Sequence, residues 1–181
     1  MRQLMLFIVT VFAFSILTDV LDAQKTTTLG TGGGGSPHVR TEWSIDGANI
    51  AIEYGRPYLK GREEAKMMPA GQPWRTGADQ ATTITTNKPL KFGSVSLAPG
   101  TYTINTQPGD QWQLIFGRLE KPGQWGIPYV SKLEIGRTPM KTGKAAKPVE
   151  QVTISIDDTP AGANLRIEWG TTSVVAPFTV G

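Results

Sequence analysis

The chain contains no cysteine in its 181 residues and a single histidine, His38. The first absence excludes disulfides, thiolate metal sites, cysteine nucleophiles and a lipid-modified cysteine behind an export signal. The second leaves any histidine-dependent triad or general base to be built on His38 alone, and no Gly-x-Ser-x-Gly nucleophile turn accompanies it. Zinc or copper would have to be held by carboxylates alone, a donor set those metals disfavour, so no metal and no cofactor is expected. Charge is also sparse. Eighteen lysines and arginines oppose 15 aspartates and glutamates without any long basic run, which argues against a nucleic-acid partner.

Long hydrophobic runs are missing except at the start, where Arg2 precedes an apolar run from Leu4 to Leu17 broken only by Thr10 and Ser15. As a helix those residues would span roughly 21 Å, short of the roughly 30 Å of a bilayer's hydrocarbon. Residues 1–23 therefore read as a signal peptide cleaved near Ala23, after Leu21-Asp22-Ala23, leaving no stable membrane span. The expected location is the periplasm or the exterior of a bacterium. Cleavage removes Arg2, Asp19 and Asp22 and leaves 17 basic and 13 acidic residues, a formal charge of +4. That mild imbalance favours anionic partners only weakly.

Residues 24–37, QKTTTLGTGGGGSP, carry almost no apolar mass and read as a flexible tether. Gly32 to Gly35 form no phosphate loop, because no Gly-Lys-Ser/Thr follows them. Residues 38–181 read as one domain. Ile45-Asp46-Gly47-Ala48 predicts a tight hairpin, with Asp-Gly supplying the positive-φ turn. From there the period is two: Ile50, Ile52 and Tyr54; Trp112, Leu114 and Phe116; Val152, Ile154 and Ile156; Leu165, Ile167 and Trp169; then Val174, Ala176, Phe178 and Val180. Such alternation marks half-buried antiparallel strands. The expected fold is all-β, an antiparallel two-sheet β-sandwich of about eight to ten strands, with at most one short helix near 61–68 ended by Pro69.

One segment concentrates the chemistry. Between Glu53 and Ala78 stand Arg56, Lys60, Arg62, Lys66 and Arg75 beside Tyr54, Tyr58 and Trp74, with Pro57, Pro69 and Pro73 fixing the path. Guanidinium forks grip carboxylates and phosphates bidentately and stack on rings. Arg56, Lys60, Arg62, Trp74 and Arg75 are thus the candidate binding residues for a small anionic ligand or an acidic glycan. The competing expectation is that Arg56 and Arg75 brace loops by bonding backbone carbonyls, or pair with Glu53, Glu63, Glu64 or Asp79. No catalytic residue is assigned. Glu53 and Glu168 would make an acid/base pair only if their strands were neighbours. Among the five tryptophans, Trp112 and Trp169 are in phase with the core, whereas Trp74 and Trp125 lie in Gly/Pro-rich turns and are the two to test as ligand platforms.

The segments GANIAIEYGRPYLKGR, PWRTGADQATTITT, LAPGTYTINTQPG, QWQLIFG, GQWG, PVEQVTISI and EWGTT occur in this order across residues 43–180. Together they resemble a family of exported bacterial proteins catalogued as domain of unknown function 2911. The resemblance implies an exported β-rich domain with no assigned activity, and it supplies no catalytic residues to transfer. Two positions depart from the family's pattern. Relatives follow KGR with an apolar, Phe-Gly-containing turn where this chain has Glu63 to Met68, and they carry Asn where Asp79 stands. Three readings stand at this point: a non-enzymatic binding module, an extracytoplasmic hydrolase using Glu53 or Glu168, and a passive envelope protein.

Overall fold

The alternating segments become eleven strands in two antiparallel sheets in the computed structural model, which describes residues 24–181. The signal peptide expected at 1–23 lies outside the described residues. In chain order the strands are β1 (Lys25–Thr31), β2 (Pro37–Ile45), β3 (Ala48–Gly55), β4 (Thr83–Thr86), β5 (Leu90–Phe92), β6 (Val95–Leu97), β7 (Gly100–Gln107), β8 (Gln113–Arg118), β9 (Glu134–Pro139), β10 (Lys141–Thr159) and β11 (Gly162–Val180). The helical content is one short helix, α1 (Glu64–Met67), and a 3-10 turn at Ser131–Leu133. The larger sheet runs β1-β2-β3-β4-β7-β8-β9 and the smaller β10-β11-β5-β6.

The hairpin at Asp46-Gly47 forms as expected. Both residues have positive φ, 48° and 72°, and Ile45 pairs directly with Ala48, which is the two-residue turn whose twist matches that of its strands. The apolar phase of the central strands faces the other sheet. Ile50, Ile52 and Tyr54 of β3, Leu114 and Phe116 of β8, Ile154 of β10 and Leu165, Ile167 and Trp169 of β11 all belong to one buried cluster. Phe92 joins the sheets at its centre, with its ring 4.8 Å from Phe116 and 4.7 Å from Phe178.

The tether expected at 24–37 is corrected. Lys25–Thr31 forms β1, an edge strand paired with β2 through a bulge between Thr28 and Gly30. All seven of its residues are exposed, so no hydrophobic alternation marked it. It is held by main-chain pairing and by the Thr26–Thr41 hydroxyl contact at 3.2 Å. His38 accordingly lies inside β2, opposite Gly55.

The sheets are also stitched by backbone. After Gly55 the chain leaves the large sheet and runs along the free edge of β10. The Tyr54 hydroxyl accepts from the Ile154 N–H (3.1 Å), Val152 N–H donates to the Pro57 carbonyl (3.1 Å), and Leu59 N–H donates to the Glu150 carbonyl (2.7 Å). Arg56 adds Nε to the Val152 carbonyl (3.0 Å) and Nη2 to Thr153 Oγ1 (3.1 Å). An unpaired strand edge invites association with other chains, and this strap covers it.

The crossing is tight because two glycine-bearing turns interlock. A Cβ on Gly55 would strike the Ala78 carbonyl oxygen, and one on Gly77 would lie 2.9 Å from the Gly55 oxygen. Replacing Arg56 with Met should therefore weaken the native state by about 2 kcal/mol, or lower Tm by roughly 6 °C, through loss of two charge-assisted hydrogen bonds. Differential scanning calorimetry measures this, and an unchanged Tm would contradict the stitching role.

Candidate functional site

Most of the five residues predicted to bind have structural partners. Arg56 is engaged by β10 as described. Arg62 turns back on its own loop, donating Nε to the Leu59 carbonyl (2.9 Å) and Nη2 to the Tyr58 carbonyl. Lys60 lies over the Tyr58 ring at 5.7 Å, and its backbone N–H donates to Glu150 Oε1 at 2.7 Å. Trp74 is half-buried. It exchanges backbone hydrogen bonds with Thr106 (2.6 and 2.9 Å) and stacks on Trp169, with ring centres 5.6 Å apart and planes 8° from parallel. The bracing expectation, made for Arg56 and Arg75, describes both: Arg56 bonds the Val152 carbonyl and Arg75 Nε the Gly77 carbonyl, and Arg62 is held by carbonyls in the same way.

The carboxylates separate as well. Glu53 projects from the large sheet and Glu168 from the small one, each from the side opposite its strand's core residues, so they lie on opposite outer faces of the sandwich. Arg40 Nη1 donates to Glu53 at 2.6 Å, and Glu168 pairs across the strand with Thr153. The condition for an acid/base pair, that their strands be neighbours, is therefore not met. Among the described residues, no group of three or more His, Asp or Glu side chains is placed to hold a metal ion.

Arg75 leads to a different place. Its guanidinium carbon lies 5.6 Å from the centre of the Trp125 ring, and Nε donates to the Gly77 carbonyl at 3.2 Å. Nη1 is buried without a hydrogen-bond partner among the described residues, so it is closed to a ligand arriving from solvent. Trp125 itself is 56% exposed. Its loop is fixed on both sides, by Gly126 N–H to the Asp79 carbonyl (3.0 Å) and by Ala81 N–H to the Gln124 carbonyl (2.9 Å). Gly126 is required for this approach, because a Cβ there would lie 2.7 Å from Arg75 Cδ. The result is an exposed indole on a stiff mount, flanked by the amides of Gln80 and Gln124.

Below the Trp125 loop, on the outer face of β7 and β8, lies a hollow of about 40 Å³ lined by Asn105, Gln124, Tyr129 and Glu134 among others. That volume admits a water or two but no organic ligand. Tyr129 donates its hydroxyl to Glu134, and Arg137 grips both oxygens of the same carboxylate at 2.8 and 2.6 Å. Burial first, and then the Glu134 carboxylate, push the Tyr129 phenol up to about 12. Arg137, outweighing burial and joined by Tyr129, holds the Glu134 carboxyl below its ordinary range. This trio was missed in the sequence because residues three apart on a regular strand face opposite ways. A register shift where β9 begins, with Gly117 opposite Glu134 but Phe116 opposite Gly136, returns Arg137 to the side of Glu134.

A carboxyl lowered on folding contributes stability that is present above its unfolded value, about 4.3, and lost as pH falls through the folded value. In Arg137→Met the Glu134 titration, followed by carbon NMR of its carboxyl, should move upward and the acid-side loss of stability should shrink. A Glu134 titration identical in wild type and variant would contradict the assignment.

Compared with known proteins, residues 36–178 match the family described as protein of unknown function (DUF2911). No curated protein and no solved structure matches the chain.

Proposed function

The chain belongs to the DUF2911 family, and we propose that it works as a non-enzymatic, exported binding module whose ligand is a glycan stacked on Trp125. The exposed indole carries this reading. Its loop is clamped by two backbone hydrogen bonds and backed by the Arg75 guanidinium, so little side-chain or loop entropy remains to be lost when a sugar face docks. Exposed Ile127, the next but one residue, extends the apolar surface, while the Gln124 amide oxygen is used inside the loop, accepting from the Glu120 and Lys121 N–H groups. The anionic ligand expected from the Arg56–Arg75 cluster is less well supported, since Arg56 and Arg62 are engaged by carbonyls and Nη1 of Arg75 is buried.

Catalysis is also poorly supported at this face. Glu134 is the carboxylate nearest the platform's hollow, and its two firm partners keep it ionised, which suits it to orient Tyr129 and not to deliver a proton at neutral pH.

The test is calorimetric titration with a panel of neutral and N-acetylated hexose oligosaccharides, followed by the same titration with Trp125→Ala. At least one oligosaccharide should bind, and the variant should bind it about tenfold more weakly, the effect of losing one ring contact of roughly 1.4 kcal/mol, with Tm unchanged. Binding that is indifferent to Trp125, or no binding across the panel, would remove the proposal.

A further inference from the structure

The most complete anion-holding geometry in the molecule lies away from Trp125 and is filled by the chain itself. Glu64, at the start of α1, reaches the turn that follows the first half of β11. Its Oε1 accepts from the Thr171 N–H (2.7 Å) and the Thr171 hydroxyl (3.0 Å). Its Oε2 accepts from the Thr172 N–H (3.2 Å) and the Thr172 hydroxyl (2.6 Å). Each oxygen thus meets one amide and one hydroxyl, over a sequence separation of 107 or 108 residues.

The turn is shaped for this purpose. Gly170 has φ of 59°, and a Cβ there would overlap the Glu64 carboxylate, so glycine is needed both for the backbone conformation and for the space. No lysine or arginine forms an ion pair with Glu64 among the described residues. Burial alone would raise the Glu64 carboxyl, but the four donors outweigh it and hold the group below its ordinary range. Beside the carboxylate opens a hollow of about 510 Å³, bordered by Ala65, Met68, Pro108, Asp110, Trp112 and Thr172. That is large enough for a small ligand.

We propose that Gly170–Thr172 is a receptor for a small monocarboxylate with an apolar tail, and that Glu64 occupies it as a tethered competitor. The charge number follows from the surroundings. Four neutral donors suit one carboxylate, Asp110 repels a second negative group, and no lysine or arginine lines the hollow, the nearest in the strand register being Lys144 opposite Thr172 on β10. Met68, Trp112, Ala65 and Pro108 receive the tail. Tethering gives Glu64 a high effective concentration, so an external carboxylate competes poorly until the 61–68 segment lifts away.

The experiment is a titration of the protein with butyrate at neutral pH and constant ionic strength, read on the backbone amides of Thr171 and Thr172 by NMR. In Glu64→Ala these amides should shift saturably, with a midpoint at least about tenfold lower than in wild type, and butyrate should raise the variant's Tm. Glu64→Gln, which still fills the turn, should fall between the two and serves as the readout if Glu64→Ala fails to fold. Adding Thr172→Val to either variant should weaken binding. Inorganic phosphate should shift the same amides far less than butyrate. Amides that stay still in both Glu64 variants, or that respond equally in wild type, would overturn the proposal, as would stronger binding of phosphate.

Discussion

Everything in this fold is arranged around the crossing of residues 54–59 from the large sheet onto the free edge of β10. Two facing sheets can be held by apolar packing alone, but packing is poorly directional and leaves a long outer strand with unpaired backbone groups. Here Tyr54, Pro57 and Leu59 satisfy the edge groups of Ile154, Val152 and Glu150, while Arg56 closes the remaining Val152 carbonyl and the Thr153 hydroxyl. The strap is main chain and arginine together, so the relative position of the sheets is set by directional bonds. The interlocked Gly55 and Gly77 backbones then carry the next turn, and with it Arg75, to a defined place under Trp125.

This arrangement decides which charged groups face a ligand. A guanidinium bonded to carbonyls keeps its charge but has its fork directed inward, so the positively charged segment that dominates the sequence is mostly a fastening. The proposed sites are instead what the fastening supports: an exposed indole at 125 and a threonine turn that already holds a carboxylate. The two sites differ in chemistry. One offers a flat apolar ring, the other four hydrogen-bond donors and no ion-pair partner among the described residues, and neither needs the arginines to touch a ligand.

Strand identity was legible in the sequence because burial on one face imposes a period of two, and Asp46-Gly47 declared its turn because few other residues tolerate two positive φ angles in succession. Trp112 and Trp169 were legible as core for the same reason. Three features escaped. β1 is exposed on both faces, so its pairing left no apolar trace. The Tyr129–Glu134–Arg137 trio depends on a register shift that no spacing rule shows. Glu64 and Thr171 meet across more than a hundred residues, and a single chain gives no sign of that contact. Trp74 misled because it shares its Gly/Pro-rich setting with Trp125, yet only tertiary packing tells which of the two rings is stacked on Trp169.

The account's central claim is that the Arg56 guanidinium is a permanent part of the sheet-to-sheet strap. It is tested most directly by measuring the Arg56 Nε–H by NMR in the free protein and during titration with pyrophosphate. The account predicts slow exchange with solvent, a through-hydrogen-bond coupling to the Val152 carbonyl carbon, and no shift on addition of the anion. Rapid exchange without that coupling, together with a saturable shift on pyrophosphate, would show the arginine to be a ligand-facing group and would contradict the account.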